Sequence, residues 1–148
     1  MSTLFTQIIA GDIPARFVWA DDIAVVIGTI APITEGHMLV VPRDEIVQLT
    51  EAPDDVLAHL MLVAKTIGQA QQQAWSAPRA ALIVAGFEVD HLHVHVLPAW
   101  GEASLAFRNA RTDVPDAELD EAAERIRTAL REQGHAANVP ATLSSPDL

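Results

Sequence analysis

His91-Leu92-His93-Val94-His95-Val96-Leu97-Pro98 is the stretch that most restricts what this chain can become. Imidazole and aliphatic side chains alternate through it. Successive side chains leave a β-strand on opposite sides. A strand here therefore puts His91, His93 and His95 on one face and Leu92, Val94 and Val96 on the other, against a core. Half of the chain's six histidines sit in this window. An accidental polar face is a poor account of them, because three imidazoles in a row carry desolvation costs and gain nothing structurally.

Two kinds of chemistry use such a row. The first is metal binding, since alternate histidines on a strand point the same way. Residues two apart on a strand are about 6.6 Å apart, whereas nitrogens on one zinc ion sit some 3–3.5 Å from each other. Two histidines can lean together, but three in line cannot easily share one ion. The second is nucleophilic catalysis. One imidazole attacks phosphorus while its neighbours orient it and assist the leaving group.

The surrounding pattern places this strand in a small mixed fold. Leu4, Phe5, Ile8 and Ile9 share one face of a short helix that Gly11 ends. Arg16–Ala20 and Ala24–Ile27 read as strands joined at Asp21-Asp22, and His37–Val41 as an apolar strand before Pro42. A long helix is expected from about Pro53 to Trp75, with Val56, Leu60, Val63 and Ile67 as its apolar stripe. Ala80–Ala85 is a further strand. A last helix runs from about Asp116 to Gln133, stopped by Gly134. Runs of strands with separate helices predict an α+β domain over residues 1–134 with a mainly antiparallel sheet. Residues 135–148, rich in Ala, Pro and Ser, read as a flexible tail.

Composition narrows the function. The chain has no cysteine, so disulfides, thiolate zinc sites and cysteine nucleophiles are excluded. With 20 Asp+Glu against 9 Lys+Arg, its formal net charge is -11, which argues against a DNA or RNA partner. No long apolar run suggests a membrane span. Met1–Ile9 lacks the pattern of a signal peptide, so a cytoplasmic protein is expected.

The triad stretch resembles the signature of the histidine triad family. Two further segments strengthen the likeness. Gly36-His37-Met38-Leu39-Val40-Val41-Pro42-Arg43 looks like the family's Gly-His strand. Phe5-Thr6-Gln7-Ile8-Ile9-Ala10-Gly11-Asp12-Ile13-Pro14-Ala15 is similar to its opening helix and turn. The resemblance covers residues 3 to 100 and implies a five-stranded, mainly antiparallel sheet with two main helices, paired into a homodimer. It implies a hydrolase acting on a purine nucleotide conjugate through a covalent nucleotidyl-histidine on His93. No cofactor or metal is called for. The His91 carbonyl would hold the other ring nitrogen of His93. His95 would contact the phosphate and the leaving group, with the His37 and His91 side chains as a layer behind. The nucleoside would lie against Leu4, Phe5, Ile8, Ile13, Ile27 and Ile30, each of which also reads as ordinary core.

This chain departs from the family pattern at several positions. Thr29 stands where an Asp usually holds the ribose hydroxyls. The segment before the triad, Ala85–Asp90, is short, with Phe87 for the usual Gln and Glu88 for a small hydroxyl residue beside the substrate. Ala99 replaces an Arg. Trp100 would wall the leaving-group side or pack as an interface aromatic. Two rivals follow: a nucleotide-binding module with little turnover, and a metal-dependent hydrolase using His37 with two triad histidines.

Overall fold

A computed structural model describes residues 2–148. Helix α1 (Leu4–Ile9) starts at Thr3, whose hydroxyl accepts from the Thr6 N–H as an N-cap should. β1 (Phe17–Ala20) and β2 (Ala24–Gly28) form a hairpin about Asp21. The Asp21 carboxylate accepts from the N–H groups of Ile23 and Ala24, which holds the turn. β3 (Met38–Pro42), α2 (Asp54–Trp75), β4 (Arg79–Ile83), β5 (Val94–Ala99) and α3 (Asp116–Glu132) follow. The strands make a five-stranded antiparallel sheet in the order β1-β2-β3-β5-β4, with two main helices.

Alternation along the strands builds two cores. Val18, Val26, Val40, Val94 and Val96 face α2 and α3, where Leu60, Val63, Ile67, Ile126 and Leu130 meet them. Phe17, Val25, Ile27, Leu39 and Val41 face the other way and are covered by Phe5 and Ile8 of α1. Leu39 pairs with His95 in the register of β3 and β5, so His95 continues the second face. An extra residue in β1 shifts the register between Phe17 and Trp19, and both Val18 and Trp19 enter the helix-side core.

Two expectations change. The histidine strand is paired only from Val94. Ahead of it, Leu92 N–H donates to Ile46 O at 2.6 Å, so the segment carrying His91 and His93 lies against the loop after β3. The stripe Val56, Leu60, Val63 and Ile67 turns inward, as its spacing indicates. It packs on the sheet of its own chain, and the exposed apolar residues of α2 are Met61 and Leu62. Residues 135–148 also do not leave the domain as a tail. The buried Arg127 guanidinium needs acceptors, and it donates to Pro140 O at 2.9 Å and to Phe17 O at 2.9 Å. Phe17 N–H donates to Leu143 O, and Asn138 donates to Ala20 O. The terminal segment thus supplies partners to the open edge of β1.

Candidate active site

The four histidines His37, His91, His93 and His95 gather on the α1 face, held by two separate chains of hydrogen bonds. His93 Nδ1 lies 2.8 Å from the carbonyl oxygen of His91. A carbonyl only accepts, so Nδ1 carries the proton and Nε2 keeps a free lone pair. His91 is held in turn at both nitrogens. Its Nε2 donates to Pro42 O at 2.7 Å, so its Nδ1 accepts from the Thr3 hydroxyl at 2.6 Å. Thr3 therefore has two tasks, capping α1 and orienting the residue whose carbonyl holds His93.

A second chain of bonds runs from β3 to β5. Ile33 N–H donates to His37 Nδ1 at 3.0 Å. His37 must then be protonated at Nε2, which donates to His95 Nδ1 at 2.9 Å. His95 is left with its proton on Nε2. The two chains set both tautomers: His93 offers a lone pair and His95 offers an N–H. Their ring centroids are 4.9 Å apart.

Burial keeps the rings of His37, His93 and His95 uncharged. It pushes His37 down to about 3, helped by the neighbouring imidazoles of His95 and His93. It pushes His95 down to about 4, again with a contribution from His93. His93 is lowered by burial too, although its bond to the His91 carbonyl and the charge of Glu88 act in the opposite direction. At neutral pH His93 is unprotonated at Nε2, the state a nucleophile requires.

Around the histidines the structure divides the sequence-derived candidates. Phe5 sits edge-on to His91 and His93, with centroids 5.5 and 5.0 Å away. Ile8, Ile13 and Ile27 pack in the same cluster as Phe5. Leu4 and Ile30 do not join it, and Ile30 is 73% exposed. Glu88 is exposed on the loop before the triad. Thr29 Oγ1 accepts from the Ala31 N–H, and the residue borders a water-sized cavity of about 30 Å³ between the β2–β3 end of the sheet and α3. His59 lies elsewhere, bonded to Asp21 at 2.7 Å.

Three neighbours escaped the sequence reading. Thr3 carried a visible signal, because a Thr ahead of an apolar helix is an N-cap. Nothing local linked it to a histidine 88 residues away. Phe107, in the loop after β5, stands edge-on to His95 at 5.1 Å. Gln71, on α2, is fully buried behind the sheet. Among the described residues no group of three or more His, Asp or Glu side chains is arranged to hold a metal ion. No helix there is long and apolar enough to cross a membrane.

Comparison with known proteins agrees with this arrangement. The HIT domain family matches residues 10–101. An uncharacterized HIT-like protein of Mycobacterium tuberculosis strain H37Rv is 31% identical over 142 residues, with 93% of this chain and 99% of that protein covered. The adenylylsulfatase HINT3 of Arabidopsis thaliana is 26% identical over 141 residues, covering 88% of this chain and 72% of its own length. Among solved structures, a zinc-bound histidine triad family protein from Mycobacterium smegmatis superposes with a TM-score of 0.79 at 30% identity, over 92% of this chain and 98% of that one. With its four histidines on the α1 face of a five-stranded antiparallel sheet, and with these relatives, the chain belongs to the HIT domain family.

Proposed function

We propose that this chain hydrolyses nucleotide conjugates, with His93 as the nucleophile. The observation that carries the reading is the 2.8 Å bond from His93 Nδ1 to the His91 carbonyl, which leaves Nε2 free. The Nε2 lone pair attacks the α-phosphorus and forms a P–N bond, while the bond from phosphorus to the leaving group breaks. The imidazolium so formed keeps its Nδ1 proton on the carbonyl. Water then attacks the same phosphorus, the P–Nε2 bond breaks, and a nucleoside monophosphate leaves. His95, holding its proton on Nε2, donates to a phosphoryl oxygen or to the departing atom and so stabilises the developing charge.

The purine nucleoside belongs beside Phe5, Ile8, Ile13 and Ile27, which form an apolar wall next to His93. Thr29 and Glu88 would meet the ribose and the leaving group. The activity of HINT3 on a sulfated nucleotide fits a conjugate of AMP as the substrate class. We also place a second copy of the chain against β4. That strand ends the sheet, its Leu82 is exposed, and Met61 and Leu62 add exposed apolar surface on α2.

The test is intact mass after brief exposure to AMP phosphoramidate and an acid quench. A nucleotidyl adduct is expected on the wild type and not on His93→Ala. An adduct on any other residue would overturn the assignment. The zinc-bound relative keeps a metal-dependent hydrolase as the rival. Turnover that survives a chelator argues against that rival, and turnover that vanishes supports it.

A further inference from the structure

Gln71 stands on the opposite side of the sheet from the histidines, in the last quarter of α2. It is completely buried. Its amide nitrogen donates one hydrogen to Gly36 O at 2.9 Å and the other to Val96 O at 2.8 Å. Gly36 immediately precedes His37, and Val96 immediately follows His95. These are the two histidines whose rings are bonded at 2.9 Å on the far face. One side chain therefore ties together the backbone on which both members of the pair are mounted. The bond to Gly36 lies outside regular strand pairing, since β3 begins only at Met38.

The neighbourhood of Gln71 reinforces this reading. One turn further along α2, Trp75 lies directly beneath Gly36. A Cβ at that glycine would meet the indole at 2.4 Å, and its φ of +84° already favours glycine. Thr34 adds a second tie, donating from its hydroxyl to Pro98 O at 2.7 Å. The loop that presents His37 is thus seated on α2 and fastened to β5. Gln71 also leaves its own Oε1 in the core with no hydrogen-bond partner among the described residues. Turning the amide over would aim that oxygen at two carbonyls, so the orientation is forced. A residue that only filled space would be apolar here, because a stranded buried acceptor is unfavourable.

We infer that Gln71 is a positioning residue for the candidate active site: from behind the sheet it sets the distance between His37 and His95, and so fixes the tautomer that leaves His95 with an outward Nε2–H. The pair bond survives only while two rings on different strands stay within hydrogen-bond reach. Without the amide, the Gly36–His37 turn can drift from β5. His95 then exchanges between its two tautomers and presents an N–H for only part of the time. The inference rests on the hydrolase reading for its consequence in catalysis, but not for its structural content.

The experiment uses the full chain and Gln71→Met, which keeps the length and removes both donors. Nitrogen NMR of the ligand-free protein reads the tautomers of His37 and His95 directly. Wild type should show separate pyrrole-type and pyridine-type nitrogens in each ring, and Gln71→Met should show averaged shifts. Turnover is then compared on two AMP conjugates. A phosphoramidate of an alkylamine needs help as its amine leaves, whereas a p-nitrophenyl ester departs as a stable anion. Gln71→Met should lose tenfold or more in kcat on the phosphoramidate, less than threefold on the ester, with KM within threefold for both. A packing defect alone would lower both rates alike. Unchanged imidazole shifts, or equal losses on the two substrates, overturn the inference. If wild type turns over neither conjugate, the hydrolase reading fails, while the imidazole shifts still decide the role of Gln71. Should Gln71→Met not fold, Gln71→Glu takes its place. A buried carboxyl facing two carbonyls stays protonated above its ordinary range and donates one bond. The imidazole shifts should then move from wild-type-like to averaged as pH rises from about 5 to 8, and shifts indifferent to pH would count against Gln71.

Discussion

The two faces of the sheet use the same strands for opposite ends. On the helix side, Val26, Val40, Val94 and Val96 meet Leu60, Ile67 and Ile126 in a closed apolar layer. On the other side, apolar Ile27 and Leu39 give way to His93 and His95, and the short α1 leaves part of the surface open. The first face obtains its energy from non-directional burial, so its members are interchangeable if volume is kept. The second depends on directed hydrogen bonds, in which each ring nitrogen has one permitted role. Stability and chemistry are therefore separable by face, and substitutions can test how cleanly.

The largest effect should come from the histidine face. His93→Ala removes the nucleophile and should lower turnover by several orders of magnitude, with nucleotide binding and thermal stability largely kept. Retention of more than about a tenth of wild-type activity would sink the assignment, because tenfold is only about 1.4 kcal/mol of barrier. The helix face should give the mirror result. Leu60→Ala empties a fully buried position and should cost about 2–5 kcal/mol of unfolding free energy, read by denaturant titration. The activity of the remaining folded protein should stay within about twofold. A large loss in kcat there would mean that the two faces are coupled beyond the Gln71 link.

Acid should separate the faces more gently. His37 and His95 are held neutral in the fold, with values near 3 and 4, while the unfolded chain takes up protons below about 6.5. The unfolded state binds more protons in that window, so stability rises with pH there and is complete above about 6.5. It falls by at most about 1.4 kcal/mol per pH unit for each histidine as pH drops towards about 4. Chemical denaturation between pH 7 and 4.5 measures this. His95→Asn should flatten the slope and Leu60→Ala should preserve it.

The smallest effect is expected at the rim. Thr29 Oγ1 already accepts from the Ala31 N–H, and Asp in its place keeps that bond while adding a second oxygen. Bonds to a charged acceptor are worth about 1.5–3 kcal/mol against roughly 0.5–1.5 for neutral ones. Thr29→Asp should lower KM for ribonucleotide conjugates and sharpen discrimination against 2′-deoxyribose, with kcat little changed. Steady-state kinetics with both sugars decides it. An unchanged KM and an unchanged ratio would take the ribose away from this loop.

Much of this was legible in the sequence. Alternation at 91–98 indicated the two faces, and the Gly36-His37 strand and the opening helix supplied the family and with it the five-stranded antiparallel sheet. These signals are periodic or contiguous, and the backbone geometry that reads them is local. The packing of residues 135–148 was not legible. Composition says nothing of a buried Arg127 waiting for the Pro140 carbonyl.

What the sequence by itself determined is that His95 turns away from Val94 and Val96, because the pleat of a strand alternates its side chains. What only the tertiary structure decided is the state of the histidine rings. The tautomer of His91 depends on the Pro42 carbonyl, 49 residues away, and that of His95 on His37, 58 residues away. Gln71 reaches the strands that carry the pair across 35 and 25 residues. A hydrogen bond selects its partner by distance and angle after the chain has folded, so no spacing along the chain encodes it.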